Sequence, residues 1–207
     1  MKSPSGIIGD AAKDLKYLLD RGYNRDTSLD FITGRYQLKR EERNLLYRYV
    51  FSDKEIERHR SKLIPLNEIR DKKLVIDAYN VLITVEAIIE NERIIEGMDG
   101  FLRDYSGVFS NYRFSKKTEI ALYKILKLLI KYKPNEVLFI FDSQISKSGE
   151  LAEYTRSRLM DLGMRGDART SKSADKEIIE LNRITATTDT VIIENVDRVV
   201  DIGGKLL

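Results

Sequence analysis

The sequence predicts an α/β domain, with three layers around a parallel sheet, over residues 73–207, preceded by a small all-α module over residues 1–72. In the second part, apolar runs of four to six residues alternate with helical stretches, which is typical of buried strands in a parallel sheet. In the first part, apolar residues recur at helical spacing only. The two patterns meet near Lys73, where we expect the boundary.

Four helices are predicted in the first part, at about residues 10–19, 28–32, 39–51 and 53–63. Gly22 follows the first helix, and Ser28 is the expected N-cap of a short second helix that ends before Gly34. Pro65 ends the fourth helix because proline cannot continue it. A short linker then leads to the second part.

One side of the third helix carries a basic stripe with a single tyrosine, made of Arg40, Arg43, Tyr47 and Arg48. Arginines beside a tyrosine suit contacts to phosphates and bases, so this stripe is a candidate nucleic-acid interface. An amphipathic helix with an ordinary basic outer face would show the same pattern.

Strands and helices alternate after Lys73. The predicted strands lie at about residues 74–76, 137–141, 167–170, 184–188 and 198–202, and the predicted helices at about 81–89, 117–132, 149–162 and 174–182, with a short helix or turn at 191–195. Residues 91–115 are irregular and rich in aromatic and charged side chains. Because loops of this length in compact domains are often functional, we expect a structured flap there.

The composition restricts the available chemistry. The chain has no cysteine and one histidine, His59, so disulfides, thiolate sites and histidine clusters are excluded. Any metal must be held by oxygen, which favours Mg²⁺ or Mn²⁺. The lack of cysteine, of a signal-peptide pattern and of a long apolar segment predicts a cytoplasmic protein without a membrane partner.

The net charge of +3 hides an asymmetry between the two parts. Residues 1–73 hold 17 basic and 12 acidic side chains, whereas the remainder holds 19 basic and 21 acidic ones. A basic front joined to an acidic back fits a binding module attached to a metal-binding domain. Ordinary scatter of charges is the alternative.

Four aspartates occupy positions that suggest one site. Asp77, Asp142 and Asp189 each follow a predicted strand, and Asp175 begins a predicted helix. Because open α/β sheets build sites beyond the carboxyl ends of their strands, we expect these carboxylates to converge. Without a cation their mutual repulsion would raise their pKa values, so the pattern predicts a divalent-metal site. Helix capping, or for Asp175 a favourable helix dipole, is the alternative.

The segments around these aspartates resemble the PIN/NYN nuclease superfamily. They are VIDAYNVL at 75–82, FDS at 141–143, KSAD at 172–175 and TTD at 187–189. The resemblance implies a PIN-like domain that cleaves RNA with Mg²⁺ or Mn²⁺ held by the four aspartates. It also implies polar support from Asn80 and from Ser143 or Thr187. Ala78 departs from the glycine common at its position, but alanine is small enough to keep the site open.

The whole chain also resembles the prokaryotic family named domain of unknown function 434. The similar segments are RYxL at 35–38, ERNLLYR at 42–48 and DGFLRDxSG at 99–107. This resemblance supports the division into two parts and implies no activity.

Several further residues are candidates with an ordinary structural alternative. Arg103 could clamp a phosphate and Asp104 could add a carboxylate, or both could belong to a salt-bridged surface loop. The tyrosines of the second part, Tyr79, Tyr105 and Tyr112, could stack on unpaired bases or pack in a half-buried position. His59 is expected on a solvated basic face, and Glu86 on a helix surface.

The predicted function is that of a metal-dependent endoribonuclease that acts on RNA. DNA is a further candidate partner. Two alternatives stay open: a non-catalytic RNA- or DNA-binding protein with a vestigial pocket, and a metal-dependent nucleotide phosphohydrolase. A homodimer is compatible with the sequence. Neither a Walker A motif nor GxGxxG occurs, which excludes the usual phosphate loops of nucleotide-binding folds.

Overall fold

The computed structural model describes residues 4–106 and 112–207, in which the chain forms two compact units. The helical unit combines the described residues of Met1–Ser61 and Arg93–Gly107, and the sheet unit combines Lys62–Glu92 with the described residues of Val108–Leu207. The helical unit thus includes a segment beyond the predicted boundary. Residues 107–111 of the predicted flap lie outside the described residues.

Helices and a small hairpin make up the helical unit. The helices are α1 (Gly6–Asp20), α2 (Arg25–Tyr36), α3 (Arg40–Tyr49) and α4 (Asp53–Lys62). The apolar faces of α1, α2 and α3 meet in one core, which contains Leu15, Leu29 and Leu46. The hairpin pairs β2 (Ile94–Glu96) with β3 (Leu102–Asp104) in antiparallel fashion, so part of the region predicted as irregular forms strands.

The second helix is longer than predicted. Asn24 is its N-cap, with a side chain that accepts a hydrogen bond of 3.1 Å from the Thr27 amide. The predicted cap, Ser28, lies inside the helix and is buried. Gly34 is also inside, since the helix continues until Gln37 adopts a left-handed conformation with a φ of 50°. The cap prediction was wrong because an earlier residue, Asn24, accepts a hydrogen bond from a free amide of the first turn.

A buried cluster of polar side chains joins α4 to the hairpin. The His59 Nδ1 atom lies 2.7 Å from Asp99 Oδ2, and both Arg103 Nη atoms donate to Asp99 at 2.6 Å. All three residues are almost fully buried, and the rings of Phe51 and Phe101 contact His59 and Arg103. His59 therefore does not lie on a solvated face, and Arg103 is not a surface residue.

Five parallel strands form the sheet unit, in the order β5-β4-β1-β6-β7. They are β1 (Lys73–Asp77), β4 (Glu136–Asp142), β5 (Gly166–Ser171), β6 (Ile184–Ala186) and β7 (Val199–Val200). The central strand β1 is buried from Leu74 to Asp77, as expected for a sheet covered on both faces. The predicted α/β class with a parallel sheet and a helical front is confirmed.

Helices connect these strands. They are α5 (Ala78–Glu90), α6 (Lys116–Tyr132), α7 (Ser148–Asp161), α8 (Ala174–Leu181), α9 (Thr190–Asn195) and α10 (Ile202–Leu206). The chain moves outwards from β1 to β4 and β5, and then returns to β6 and β7 on the other side. Right-handed crossovers therefore place α5, α6 and α7 on one face of the sheet and α8 and α9 on the other.

Two local predictions in this unit were wrong, and the alternatives left open for two tyrosines are decided. The last strand ends at Val200, because Asp201 accepts a hydrogen bond from the Gly204 amide and starts α10. Glu86 is half-buried and accepts a hydrogen bond from the Tyr112 hydroxyl. Tyr79 and Tyr112 are buried and pack edge to face with each other, so neither ring is available for stacking on a base. None of the helices within residues 4–106 and 112–207 combines the length and apolar character that a membrane span requires.

Candidate active site

The carboxyl edge of the parallel sheet collects the four aspartates predicted from the sequence. Asp77 ends β1 and Asp142 ends β4, and these two strands are neighbours. Asp189 follows β6, the other neighbour of β1, and Asp175 lies in the first turn of α8 after β5. The chain reverses its direction of progress between β1 and β6, and open α/β sheets bind ligands at such a switch point.

Asp77 is the buried member of this group, with 9% of its surface exposed. Burial raises the pKa of its carboxyl, and the negative charges of Asp189 and Asp175 raise it further. Two hydrogen bonds lower this pKa. One runs from Thr187 Oγ1 to Asp77 Oδ2 at 2.8 Å, and the other comes from the backbone amide of Asn80. Burial and repulsion dominate and leave the pKa at about 7, so Asp77 can exchange a proton near neutral pH.

Polar side chains join β1 and the start of α5 to the segment after β6. Asn80 Oδ1 accepts hydrogen bonds from Thr188, at 2.8 Å from its amide and 3.1 Å from its hydroxyl. Thr187 Oγ1 donates to Asp77 and accepts from the Asp189 amide at 3.0 Å. Asn80 and Thr187 therefore hold the switch point together. Sequence reasoning missed the role of Thr188, although it belongs to the TTD segment that drew attention to its neighbours.

Asp142 and Asp189 each use one carboxylate oxygen for local structure. Asp142 Oδ1 accepts from the Gln144 amide, and Asp189 Oδ1 accepts from the Val191 amide as the N-cap of α9, both at 2.8 Å. The capping alternative is therefore correct for Asp189. It does not compete with a site, because each carboxylate retains a second oxygen that can bind another group.

Electrostatic coupling connects all four aspartates. Asp175 is exposed, and partial desolvation together with the charges of Asp189 and Asp142 raises the pKa of its carboxyl. Asp77 responds to Asp189 and Asp175 in the same sense. Asp189 thus acts on both Asp77 and Asp175, and Asp142 acts on Asp175.

The chemistry of these donors fits a hard divalent cation, because all of them are carboxylate, amide or hydroxyl oxygens. Burial is the largest cause of the raised pKa of Asp77 and of Asp175, and the charges of neighbouring aspartates add to it, so a bound cation would relieve that added repulsion. Within the described residues, no three acidic or histidine side chains form a ready-made metal-binding group. The predicted four-aspartate ligand set therefore stays a prediction.

Three predicted supporting residues have other contacts. Ser143 is exposed, and its amide donates to the Ser171 carbonyl at 2.8 Å. Arg103 and Asp104 belong to the helical unit. Arg103 is buried against Asp99, and Asp104 accepts hydrogen bonds from the Ser106 amide at 3.0 Å and hydroxyl at 2.9 Å. The ion pair of Arg103 agrees with the salt-bridged alternative, but its burial contradicts the surface position which that alternative predicted.

The basic stripe of α3 also belongs to the helical unit. Arg43, Tyr47 and Arg48 line a cavity, whereas Arg40 is exposed at the start of the helix and does not line it. Tyr105, which follows β3, lines the same cavity.

Two models of known protein families match this chain. The model described as Domain of unknown function (DUF5616) matches residues 66–205, which include all the strands of the large sheet and the four aspartates. The chain belongs to this family. The model described as Protein of unknown function (DUF434) matches residues 7–62, so the predicted resemblance to that family is confirmed for the helical front.

A relative shares both parts of the chain. Uncharacterized protein MJ0935 from Methanocaldococcus jannaschii is 36% identical over 202 residues, which cover 97% of this chain and 96% of the relative. The front and back halves are therefore combined in the same way in that protein. No solved structure matches the chain.

Proposed function

We propose that this protein is a metal-dependent endoribonuclease whose site is the carboxyl edge of the sheet at Asp77. The observation that carries the proposal is the buried Asp77 carboxyl, whose pKa reaches about 7 through burial and the charges of Asp189 and Asp175. Strongly perturbed carboxyls beside like charges are typical of functional sites. A purely structural edge would gain nothing from this repulsion.

The proposal includes a PIN-like fold. It is supported by the parallel order β5-β4-β1-β6-β7 and by the position of the four similar motifs at one edge of that sheet. The first motif supplies Asp77 and Asn80, and the last supplies Thr187 and Asp189. Hydrogen bonds join these two motifs across the switch point.

Asp77, Asp142, Asp175 and Asp189 would hold Mg²⁺ or Mn²⁺. When bound, such an ion supplies activation of water and neutralisation of charge on the phosphate. The residues of the chain supply the rest. Thr187 orients Asp77 through the hydrogen bond from its Oγ1 atom to Asp77 Oδ2. Asn80 is oriented through its Oδ1 atom, so its Nδ2 group can donate to a phosphate oxygen.

The test is cleavage of a mixture of structured and unstructured RNAs by purified protein, with millimolar Mg²⁺ or Mn²⁺. We expect cleavage that stops on addition of chelator. Asp77→Asn and Asp189→Asn should each reduce the rate by about a hundredfold or more, the loss typical of a removed electrostatic group. The exposed Asp197→Asn variant is the matched control and should cleave at the unchanged rate.

Other outcomes separate the alternatives. Activity that persists equally in both site variants would come from a contaminant. Hydrolysis of free nucleotides without cleavage of RNA would favour a phosphohydrolase. Binding of RNA with no cleavage under any metal would favour a non-catalytic binding protein.

A further inference from the structure

The helical unit contains a cavity of about 230 Å³ with an unusual combination of side chains. Four of them come from one face of α3, and one follows the hairpin; they are Arg43, Asn44, Tyr47, Arg48 and Tyr105. Two arginines, two tyrosines and an amide side chain provide positive charge, aromatic surface and hydrogen-bonding groups in one concave place. These are the groups that bind unpaired nucleotides.

Backbone contacts fix the walls of this cavity. The Met98 amide donates to the Tyr49 carbonyl at 2.9 Å, which ties the hairpin loop to the end of α3. The Tyr105 amide donates to the Arg93 carbonyl at 2.9 Å, and Arg93 pairs with Glu41 on α3 at 3.0 Å. The position of Tyr105 opposite α3 is thus set by the fold, and a preformed pocket loses less entropy when a ligand binds.

The positive charge of the cavity is available to a ligand. Arg48 has no carboxylate partner within residues 4–106 and 112–207, and its guanidinium lies 5.9 Å from the centre of the Tyr47 ring. Arg43 pairs with Asp30 at 2.7 Å, but Asp30 is largely exposed. Exposed ion pairs of this kind contribute little free energy, so a phosphate can displace Asp30.

We propose that this cavity binds one nucleotide of a single-stranded RNA. Tyr47 and Tyr105 offer the rings on which the base stacks, Arg48 binds the phosphate, and Asn44 can donate to or accept from the edge of the base. A single strand is required because the bases of a duplex are stacked on each other and cannot reach the tyrosines. The choice of RNA rests on the proposed function, whereas the binding chemistry rests on the cavity.

The test measures binding alone, by fluorescence anisotropy of a short labelled single-stranded RNA with chelator present so that nothing is cleaved. Tyr105→Ala should weaken binding about tenfold, the loss typical of one stacked base. Tyr105→Phe should bind as the unchanged protein does, because the phenylalanine ring also stacks. Tyr23→Ala, an exposed tyrosine of the same unit outside the cavity, is the control and should have no effect.

Salt dependence identifies the phosphate contact. Arg48→Ala should weaken binding and reduce the slope of log K against log salt by about 0.7, as expected for one phosphate contact on a single strand. Tyr105→Ala should leave this slope unchanged. Arg35→Ala, an exposed arginine outside the cavity, is the matched control. Circular dichroism and thermal melting of each variant show whether the fold is retained.

Unchanged affinity of folded Tyr105→Ala and Arg48→Ala would overturn the inference, and so would an equal loss in the two control variants. Equal binding of duplex RNA, with the same sensitivity to Tyr105→Ala, would also overturn it. The outcome is independent of the proposed nuclease activity. Binding through the cavity without any cleavage would contradict only the nuclease, and metal-dependent cleavage with unaltered RNA affinity in both cavity variants would contradict only this inference.

Discussion

Replacing Asp77 by asparagine should raise the thermal stability of the metal-free protein at about pH 8. Burial, and then the charges of Asp189 and Asp175, raise the pKa of the wild-type carboxyl from 3.8 to about 7, so at pH 8 it is ionised in an unfavourable environment. A shift of about three pKa units corresponds to a cost on the order of 4 kcal/mol. For a chain of this size the melting temperature of Asp77→Asn should increase on the order of 10 °C.

The pH dependence of this gain is the diagnostic measurement. The folded state keeps the proton of Asp77 up to about pH 7, whereas the unfolded chain releases it near 3.8. The wild-type protein should therefore lose stability as the pH rises from about 4 to 7, and the neutral asparagine should not. The difference between the two proteins should be small near pH 4 and largest above pH 7.

Melting curves over this pH range, with and without millimolar Mg²⁺, check the prediction. A cation that binds the folded state should stabilise the wild-type protein and reduce its difference from Asp77→Asn. Asp197→Asn is the control, because a change at an exposed aspartate should alter stability by less than about 0.5 kcal/mol. If Asp77→Asn is less stable than the wild-type protein at pH 8, the unfavourable ionisation of the buried Asp77 carboxyl is contradicted.

Asp99→Ala should destabilise the protein by about 3–5 kcal/mol, the range seen when one partner of a buried ion pair is removed. Burial opposes the ionisation of Asp99, but hydrogen bonds from Arg103 and His59 overcome it and hold its pKa at about 2. Alanine would leave the guanidinium of Arg103 buried without its carboxylate. Because this group joins α4 to the hairpin, the loss should also increase hydrogen exchange in β2 and β3.

Chemical denaturation checks the size of this effect. The control is Asp10→Ala, which removes an exposed pair with Lys13 and should cost less than about 1 kcal/mol. The lowered pKa of Asp99 adds a second signature. Its stabilising contribution is complete above about pH 4 and is lost as the pH falls towards 2, so wild-type protein should lose this contribution in acid and Asp99→Ala should not. Equal effects of the two substitutions would show that the buried pair adds nothing.

The proposed catalysis and the proposed RNA binding belong to different units of the chain. The aspartates lie on the sheet unit, and the cavity lies in the helical unit. The basic front predicted from the charge distribution fits this division. Each assignment has its own measurement, since cleavage requires a metal and anisotropy is recorded in chelator.

The sequence by itself determined the strands of the large sheet and the edge at which the aspartates meet. An uninterrupted apolar run such as VLFIF, when it forms a strand, points apolar side chains to both faces and therefore fits a sheet covered on both sides. Strands joined by helices run parallel, so residues that follow them lie at one edge. For this reason Asp77 and Asp142 could be placed from a linear pattern alone, and Asn80 and Thr187 were found with them through their motifs.

The tertiary structure alone decided which polar and aromatic residues are buried. His59 is far from Asp99 and Arg103 in the sequence, and only the assembly of these three residues with Phe51 and Phe101 excludes water from them. It likewise placed Tyr79 in the core and Tyr105 in the lining of a cavity, although the sequence offers the same two alternatives, stacking on a base or packing, for both. The strand order, which puts the switch point between β1 and β6, is also a tertiary outcome. Burial and pairing depend on contacts between distant segments, and no local spacing encodes those contacts.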